Sequence, residues 1–487
     1  MRYGILAAVI IYEIVVIFGI GWWVSRNHKK DEAGAFALAG RDLPLGVVAA
    51  TMALTVLGTA HILGVFEMTW FMGASAIWFS IAHVVLLVVV CLSTGLWVRR
   101  LEVTTVPELL ERMYGKGTRL LVSCVMAAVI WGILTLETQG IGIVLSSMTG
   151  WSIKNGAIVG GILGIFYVVL AGMKEVGWIN LVNAVIMYIG LVLATVFLAF
   201  KLPGGNFDTV ANFYTDAGEG FMLNIVGSTE ILITFALANI VSVTFCQGIS
   251  QMLLQTCMSA KSEQTIKKAL WIAAPVNGLF GVFAVVIGLT AKTLPEFSAL
   301  GPKVAATTMM VELLPGWVCV VLLASFLAAI LSTFAMTSLT PATIFAVDIY
   351  KNLFNPNATE QQVTTVTRIA IIILSVIAMA IAAFLPPILS AINWLFAWLV
   401  PVFWLVVFGL FWKRSAKTAI ATLLASWIIN SIWSFTSLPA AINMADIPNG
   451  YVTLVVTFVV AVIMNLGGGG KPAYFKSEEY LLTKKVG

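Results

Sequence analysis

The sequence predicts an all-α protein that crosses a membrane many times, and its composition and hydropathy carry that prediction. Of its 487 residues, 60% are hydrophobic and only 10% are charged, whereas about a quarter of the residues in a soluble domain are charged. Apolar stretches of about 18 residues or more recur along the chain, and each can cross a hydrocarbon core of about 30 Å as a helix. The sequence lacks the alternating segments of about ten residues that are typical of membrane β-barrels.

Hydropathy divides the chain into thirteen predicted spans, which set the topology. They are 4–24, 45–70, 73–97, 120–147, 153–172, 177–200, 223–250, 269–291, 314–340, 368–386, 389–412, 416–435 and 451–467. If the loop after the first span is cytoplasmic, the only Lys and Arg outside, among 27 in all, are Arg2, Lys154, Lys201, Lys292 and Lys303. The positive-inside rule predicts this asymmetry. We therefore expect a multi-pass protein of the plasma or inner membrane, with its N-terminus outside and its C-terminus in the cytoplasm.

Three ionisable side chains lie deep inside predicted spans: His61, His83 and Glu137. Such groups are costly in a membrane, so each is a candidate for a pocket or a proton relay. The alternative is a polar side chain that bridges packed helices. The three residues lie on different predicted helices without a close-spaced metal-ligand motif, and the five cysteines form neither a disulfide framework nor a metal motif. We expect no catalytic residue and no cofactor; a membrane enzyme that uses these three groups is the alternative from another class.

Neutral oxygens cluster in two of the predicted spans. In the ninth span, Ala329, Ser332 and Thr333 are spaced so that they share one helical face. A carbonyl and two hydroxyls there suit a hard cation, although hydroxyls are also ordinary packing groups in membrane helices. In the second span, Gly58 and the neighbouring Thr59 weaken the helix. Carbonyls freed in this way are tolerated only where they line a cavity, and close packing through small residues is the alternative.

Several short motifs, in a fixed order along the chain, resemble those of the sodium:solute symporter family, which includes the proline, pantothenate, sialic acid and sodium/sugar symporters. They are Phe36-Ala-Leu-Ala-Gly-Arg41, Thr105-Val-Pro-Glu-Leu-Leu110, Arg112-Met-Tyr-Gly115, Ala238-Asn239, Phe245-x-Gln247 with Gln251, Ala329-x-x-Ser332-Thr333, Asp348-Ile-Tyr-Lys351 and Gly409-Leu-Phe-Trp-Lys-Arg414. The predicted number of spans and their orientation agree with this family independently.

The resemblance implies a LeuT-type fold made of two inverted repeats of five helices. In this chain it divides the sequence into a lead helix and loop (1–44), a first repeat (45–202), an outer loop and second repeat (203–412), and two additional helices with a cytoplasmic tail (413–487). It also implies a secondary transporter that couples a small polar or zwitterionic solute to sodium by alternating access. We expect solute, sodium and the lipid bilayer as its partners, no nucleic acid, and a functional monomer.

The resemblance also implies binding residues. Sodium would bind the carbonyls of Leu54, Leu57 and Ala329 and the hydroxyls of Ser332 and Thr333. The residues implied for the solute pocket are Thr59, His61, Ser80, His83, Glu137, Asn239, Ser242, Asn393 and Trp394. A dicarboxylate solute is disfavoured because this set contains no arginine.

The chain departs from the family pattern where some relatives bind a second sodium ion. Ala335 and Met336 replace hydroxyl residues, and Asn180 replaces an aspartate. Because methionine offers no hard-ion oxygen and asparagine no charge, we expect only one coupled sodium. Proton coupling through His61, His83 or Glu137 is the alternative within the transporter class, since histidine titrates near physiological pH.

Overall fold

The computed structural model describes residues 2–27, 35–170, 172–384, 388–467, 469–478 and 480–481, and nearly all of them form helices. The helices are α1 Arg2–Asn27, α2 Ala35–Leu38, α3 Leu45–Val56, α4 Thr59–Met72, α5 Trp78–Val89, α6 Gly95–Arg100, α7 Val106–Tyr114, α8 Lys116–Thr149, α9 Ile153–Leu170, α10 Met173–Lys201, α11 Asp208–Asp216, α12 Thr229–Ile231, α13 Ala238–Gln247, α14 Gln251–Ser259, α15 Glu263–Thr293, α16 Pro295–Ser298, α17 Ala305–Leu313, α18 Gly316–Ile344, α19 Glu360–Ile381, α20 Ile388–Ala397, α21 Val400–Phe411, α22 Ala416–Phe435, α23 Leu438–Ala441 and α24 Asn449–Leu466.

Shorter segments join these helices. Wider π-helical turns at Val90–Thr94 and Leu232–Leu237 connect α5 to α6 and α12 to α13, and Phe345–Phe354 extends α18. The 3-10 turns are Ala39–Arg41, Gly73–Ile77, Pro203–Gly205, Gly220–Leu223, Ala382–Phe384 and Tyr474–Lys476. One short antiparallel pair, β1 Lys413–Arg414 with β2 Lys471–Pro472, holds the C-terminal segment against the end of α21.

The helices agree with the predicted spans. Among the described residues, 11 helical stretches are long and apolar enough to cross a membrane, and shorter apolar helices occupy Leu45–Val56 and Ile153–Val169. The continuous stretch Thr59–Arg100 contains the end of the second predicted span and the whole third span. The ninth span is longer than predicted, because the helix continues from Gly316 to Phe354. The predicted multi-pass helical fold is therefore confirmed.

Three of the predicted spans are interrupted, two of them near their middle and the seventh near its end. The second span divides into α3 and α4 at Leu57 and Gly58, where Gly58 is extended (φ −81°, ψ −162°). The seventh divides after Gln247, and the Ser250 hydroxyl accepts the Met252 N–H of α14 at 3.3 Å. The eleventh divides into α20 and α21. Interrupted helices expose backbone groups that ligands can use.

Helix α18 lies at the centre of the protein. In its most apolar window 89% of the residues are buried, compared with 28% in α1 and in α24. It packs against α8 and α10 on two sides and against α1, α3 and α9 on others. Because α18 touches so many helices, its polar side chains must find partners inside the protein.

A network of charged side chains joins neighbouring segments at one end of the helix assembly. Arg119 lies between Glu111 and Asp348, and its Nε donates to Asp348 Oδ1 at 2.6 Å. The Thr105 hydroxyl donates to the same carboxylate oxygen at 2.9 Å, and Arg99 donates to the Ala260 carbonyl at 2.7 Å. This is the end that the charge distribution assigns to the cytoplasm. Four lysines counted on that side, Lys29, Lys30, Lys484 and Lys485, lie outside the described residues.

Candidate functional site

The break between α3 and α4 meets α18 in the interior. The Thr333 hydroxyl donates to the Leu54 carbonyl at 3.0 Å and lies 3.3 Å from the Ala329 carbonyl. Leu57 caps the end of α3, where its N–H donates to the Leu54 carbonyl at 3.1 Å. Ser332, the neighbour of Thr333, is fully buried, and its hydroxyl has no hydrogen-bond partner within the described part of the chain. Three oxygens from two distant segments thus meet beside an unsatisfied hydroxyl.

This set of atoms fits a sodium ion. A buried hydroxyl without a partner costs free energy, about 1–3 kcal/mol by mutational measures. A bound cation would satisfy the lone pairs of the Ser332 hydroxyl and of the nearby carbonyls. Neutral oxygens are the ligands that hard cations take, and carbonyls at broken helices supply them in transporters.

The start of α4, which follows the break, faces a carboxylate. The Thr59 N–H, at the start of α4, donates to Glu137 Oε2 of α8 at 2.8 Å. A side chain at Gly58 would collide with both Glu137 carboxylate oxygens, and one at Gly140 would collide with the Thr59 hydroxyl. Two glycines therefore allow α8 to approach the break closely. The Glu137 carboxylate lies at the positive end of the α4 dipole.

Two histidines lie next to this carboxylate, with their ring centroids 4.7 Å apart. His61 Nδ1 lies 3.2 Å from the Val56 carbonyl, and its Nε2 lies 2.6 Å from the Ser80 hydroxyl. His83 Nδ1 lies 2.8 Å from the Phe79 carbonyl, and its Nε2 lies 3.4 Å from the Gln247 side-chain nitrogen. A carbonyl only accepts, so Nδ1 carries the proton in each ring. In the neutral rings, Nε2 then accepts from Ser80 or Gln247.

A small cavity of about 20 Å³ lies between these groups, which is room for about one water. It is lined by Thr55, Val56, Gly58, Ala60, Phe79, His83, Ile133, Glu137, Gln247, Met252, Thr333 and Ile392. Residues from the helix break, α5, α8, α13, α14, α18 and α20 thus line one small space. The helices must move apart before a solute larger than water can enter.

The structure brings together only part of the residue set implied for solute. Glu137 and His83 line the cavity, and Thr59, His61 and Ser80 are joined to its walls by hydrogen bonds. Asn239 and Asn393 each keep a buried side-chain oxygen without a partner among the described residues, but neither lines the cavity.

Two of the implied residues lie away from the cavity. The Ser242 hydroxyl faces Gly450 of α24 so closely that a side chain at Gly450 would collide with it. Trp394 is 37% exposed and donates to the Ser434 hydroxyl of α22 at 3.0 Å. We therefore leave both residues out of the proposed solute site.

Gln247 belongs to the cavity wall, and the sequence analysis had not assigned it a role. Its amide nitrogen lies next to His83, and its side-chain oxygen is buried without a partner in the described structure. A sequence signal existed, because Gln247 lies eight residues after Asn239 and so shares a helical face with it. The apolar lining residues carry no comparable signal, since they are indistinguishable in sequence from other core residues.

The positions that depart from the family pattern are also buried. Ala335 and Met336 are fully buried. Asn180 is fully buried as well, and neither of its amide atoms has a partner within the described ranges. No group of three or more His, Cys, Asp or Glu side chains able to hold a metal ion occurs among the residues that the structure describes.

The broken helices, the central buried α18 and the neutral oxygens where they meet are typical of an ion-coupled secondary transporter. The family model of the sodium:solute symporters matches residues 36–428, so the chain belongs to this family. The chain is therefore a multi-pass plasma-membrane protein that carries out sodium-coupled symport by alternating access. This membership confirms the resemblance predicted from the motifs.

Curated relatives and solved structures agree with this assignment. The chain is 26% identical to the uncharacterized symporter YidK of Escherichia coli over 85% of this chain and 77% of that protein. It is 25% identical to a sodium/glucose cotransporter of Vibrio parahaemolyticus over 85% of this chain and 82% of that protein. A sodium-coupled sialic acid symporter in a substrate-bound, outward-open state shares the fold, with a TM-score of 0.80, 16% identity, and coverage of 96% of this chain and 98% of that chain.

Proposed function

We propose that this symporter binds one sodium ion where the end of α3 meets α18, through the carbonyls of Leu54, Leu57 and Ala329 and the hydroxyls of Ser332 and Thr333. The observation that carries the proposal is the buried, unpartnered Ser332 hydroxyl beside the contact of Thr333 with Leu54. Sodium supplies the positive charge that this set of oxygens otherwise lacks.

The position of this site explains how an ion would control access. Leu54 and Thr333 are 279 residues apart in sequence, and their helices fall in the two halves that we propose as inverted repeats, 45–202 and 203–412. Sodium would hold these helices together in one state and lose ligands when they separate. An ion drives a conformational change only through such a difference in affinity between states.

We propose that the solute binds in the adjacent cavity, against Thr59, His83, Glu137 and Gln247, and that His61 and Ser80 support this wall from behind. The cavity lies at the helix break, and its wall includes Thr333 of the proposed sodium site, so sodium and solute would contact one interrupted helix. Asn239 and Asn393 would join the site when it opens, because each keeps a buried oxygen without a partner among the described residues. One chain supplies every group named, so we propose a functional monomer.

Relatives do not select a single solute. They include transporters of glucose, proline, choline and monocarboxylates. These solutes share no single chemical group. We therefore propose a small polar solute.

The test is a thermal-shift titration of the purified protein with sodium chloride, at constant ionic strength maintained with potassium chloride. A ligand at 100 times its Kd stabilises the folded state by about 2.7 kcal/mol, so specific sodium binding should raise the Tm in a saturable way. Transport into proteoliposomes should then depend on a sodium gradient. The same Tm in sodium and in potassium would contradict the proposed site.

A further inference from the structure

We infer that the solute carries a protonated amine, which binds between the Glu137 carboxylate and the Gln247 side-chain carbonyl. The inference rests on the proposed solute site and specifies the class of solute that this site takes. It follows from which hydrogen-bonding groups of the cavity are already used and which are left.

The anion-binding position of the broken helix is already occupied. In transporters built on interrupted helices, the N-terminus of a half-helix points at anionic groups of the substrate. Here the Thr59 N–H at that terminus already donates to Glu137 Oε2 at 2.8 Å, and Gly58 lies directly against the carboxylate. A solute carboxylate would have to displace Glu137, and two carboxylates in one buried space repel each other.

The free groups of the cavity are hydrogen-bond acceptors. Gln247 is 3% exposed, and its Oε1 has no partner within the described part of the protein. Its amide nitrogen is oriented by His83 Nε2, so the carbonyl oxygen is left to accept from a ligand. Glu137 has a second carboxylate oxygen, which also only accepts when ionised. A solute that supplies N–H donors therefore complements this wall, and one that supplies only acceptors does not.

The cavity wall also lacks positive side chains. None of the described residues that line it is Lys or Arg. A buried carboxylate needs compensation from an opposite charge or from several donors, and Glu137 has the N–H and the hydroxyl of Thr59 and the α4 dipole. Sodium bound to the proposed oxygens of α3 and α18 would supply no N–H donor to Gln247. An ammonium group supplies both the positive charge that Glu137 lacks and an N–H donor for the Gln247 side-chain oxygen.

The test uses two series of compounds that share a skeleton and differ in charge. The two-carbon series is ethanolamine, choline, glycine, glycolate and ethane-1,2-diol; the sugar series is glucosamine, glucosaminic acid, gluconate and glucose. The Tm of the full-length protein is measured against the concentration of each compound in saturating sodium. In at least one series we expect the primary amine to reach half of its maximal Tm shift at a concentration at least ~10-fold lower than the zwitterion or the anion needs. One charged hydrogen bond can supply this factor. Choline should bind more weakly than ethanolamine because it has no N–H donor.

Variants connect this preference to Glu137. In Glu137→Gln the amine should lose at least ~10-fold in affinity, while the neutral diol or sugar is unaffected. Glu137→Asp keeps the charge, so the compounds should bind in the same order of affinity as in wild type. This variant serves as the second test if Glu137→Gln does not fold. Glu230→Gln removes an exposed carboxylate and should behave like wild type.

The outcomes separate this inference from the proposed function. Stronger binding of glycolate, gluconate, glycine or glucosaminic acid than of the amines would overturn the inference, and so would an amine preference that survives in Glu137→Gln. A sodium-dependent Tm without a response to any amine would also overturn it and leave the sodium site standing. A protein that shows no sodium response would contradict the proposed function itself.

Discussion

Ser332 and Thr333 are adjacent, but their hydroxyls have different local roles. Thr333 already bonds to carbonyls of α3 and α18, whereas the Ser332 hydroxyl has no partner among the described residues. Removal of the Thr333 hydroxyl would therefore break a helix–helix contact as well as remove a proposed sodium ligand. Removal of the Ser332 hydroxyl would remove only a proposed sodium ligand, so Ser332 is the more informative position.

We expect Ser332→Ala to raise the half-saturating sodium concentration for transport by ~10- to 100-fold, if one oxygen ligand contributes about 1.4–2.8 kcal/mol. The Tm without sodium should be equal to or higher than that of wild type, because a buried unsatisfied hydroxyl is removed. The measurement is a sodium titration of transport and of Tm. Ser325→Ala is the control, since this hydroxyl lies two turns earlier on α18 and bonds to the Val321 carbonyl. Wild-type half-saturation in Ser332→Ala would rule out this hydroxyl as a ligand.

The two histidines should respond differently to replacement by glutamine. His83 lines the cavity, whereas His61 is fully buried between Phe79 and Phe280 and has partners on both ring nitrogens. We expect His83→Gln to weaken solute binding about tenfold with nearly unchanged sodium affinity. His61→Gln should instead lower the Tm, because it breaks packing and the bond to Ser80.

Transport titrations of solute, sodium and pH on both variants distinguish these roles. Glutamine keeps a donor and an acceptor but does not titrate. Loss of the pH dependence of transport in either variant would support proton coupling instead. Unchanged solute half-saturation in both would remove the histidines from the solute site.

At the scale of helices, one buried ion pair links three elements at the end assigned to the cytoplasm. Asp348 has a fully buried side chain in the π-helical extension of α18, and it accepts from Arg119 of α8 and from Thr105 before α7. Breaking a buried pair by removing one charge costs about 3–5 kcal/mol. We expect that this contact, which links α8, the extension of α18 and the segment before α7, helps to keep the cytoplasmic end closed.

We expect Asp348→Asn to shift the protein toward states that are open to the cytoplasm. Cys257, a buried thiol on α14 near this end, should then react faster with a maleimide. Mass spectrometry in a Cys124→Ser background measures this rate without the exposed thiol. Glu360→Gln breaks the exposed pair with Lys351 at the same end and should leave the rate unchanged, since exposed pairs contribute at most about 1 kcal/mol. Equal labelling in Asp348→Asn and wild type would show that this pair does not hold the end closed.

At the scale of the whole molecule, the transport stoichiometry follows from how many ion sites the two halves form. Ala335 and Met336 offer no side-chain oxygen, and Asn180 offers one uncharged oxygen. We expect a ratio of one sodium per solute. Reversal potentials in proteoliposomes, measured with the solute that the screen identifies, give this ratio directly. A ratio of two would show that other oxygens replace the missing ligands.

The sequence by itself determined the membrane class, the positions of the spans, the family and the face of α18 that carries Ser332 and Thr333. These features follow from local patterns: apolar length sets a span, charge asymmetry sets the topology, and helical spacing puts residues on one face. The second span was predicted to weaken near Gly58, and the structure interrupts it there.

Only the tertiary structure decided which neighbouring helices the side chains on each helical face contact. The family resemblance implied Ser242 and Trp394 as pocket residues, but packing turns them toward α24 and α22. Packing also places Glu137 on the N-terminus of α4 and Gln247 beside His83, across 78 and 164 residues of sequence. Helical periodicity fixes the angle between side chains on one helix but not its rotation against its neighbours. That rotation is set by close contacts between distant segments, such as Gly58 against Glu137, which no local pattern encodes.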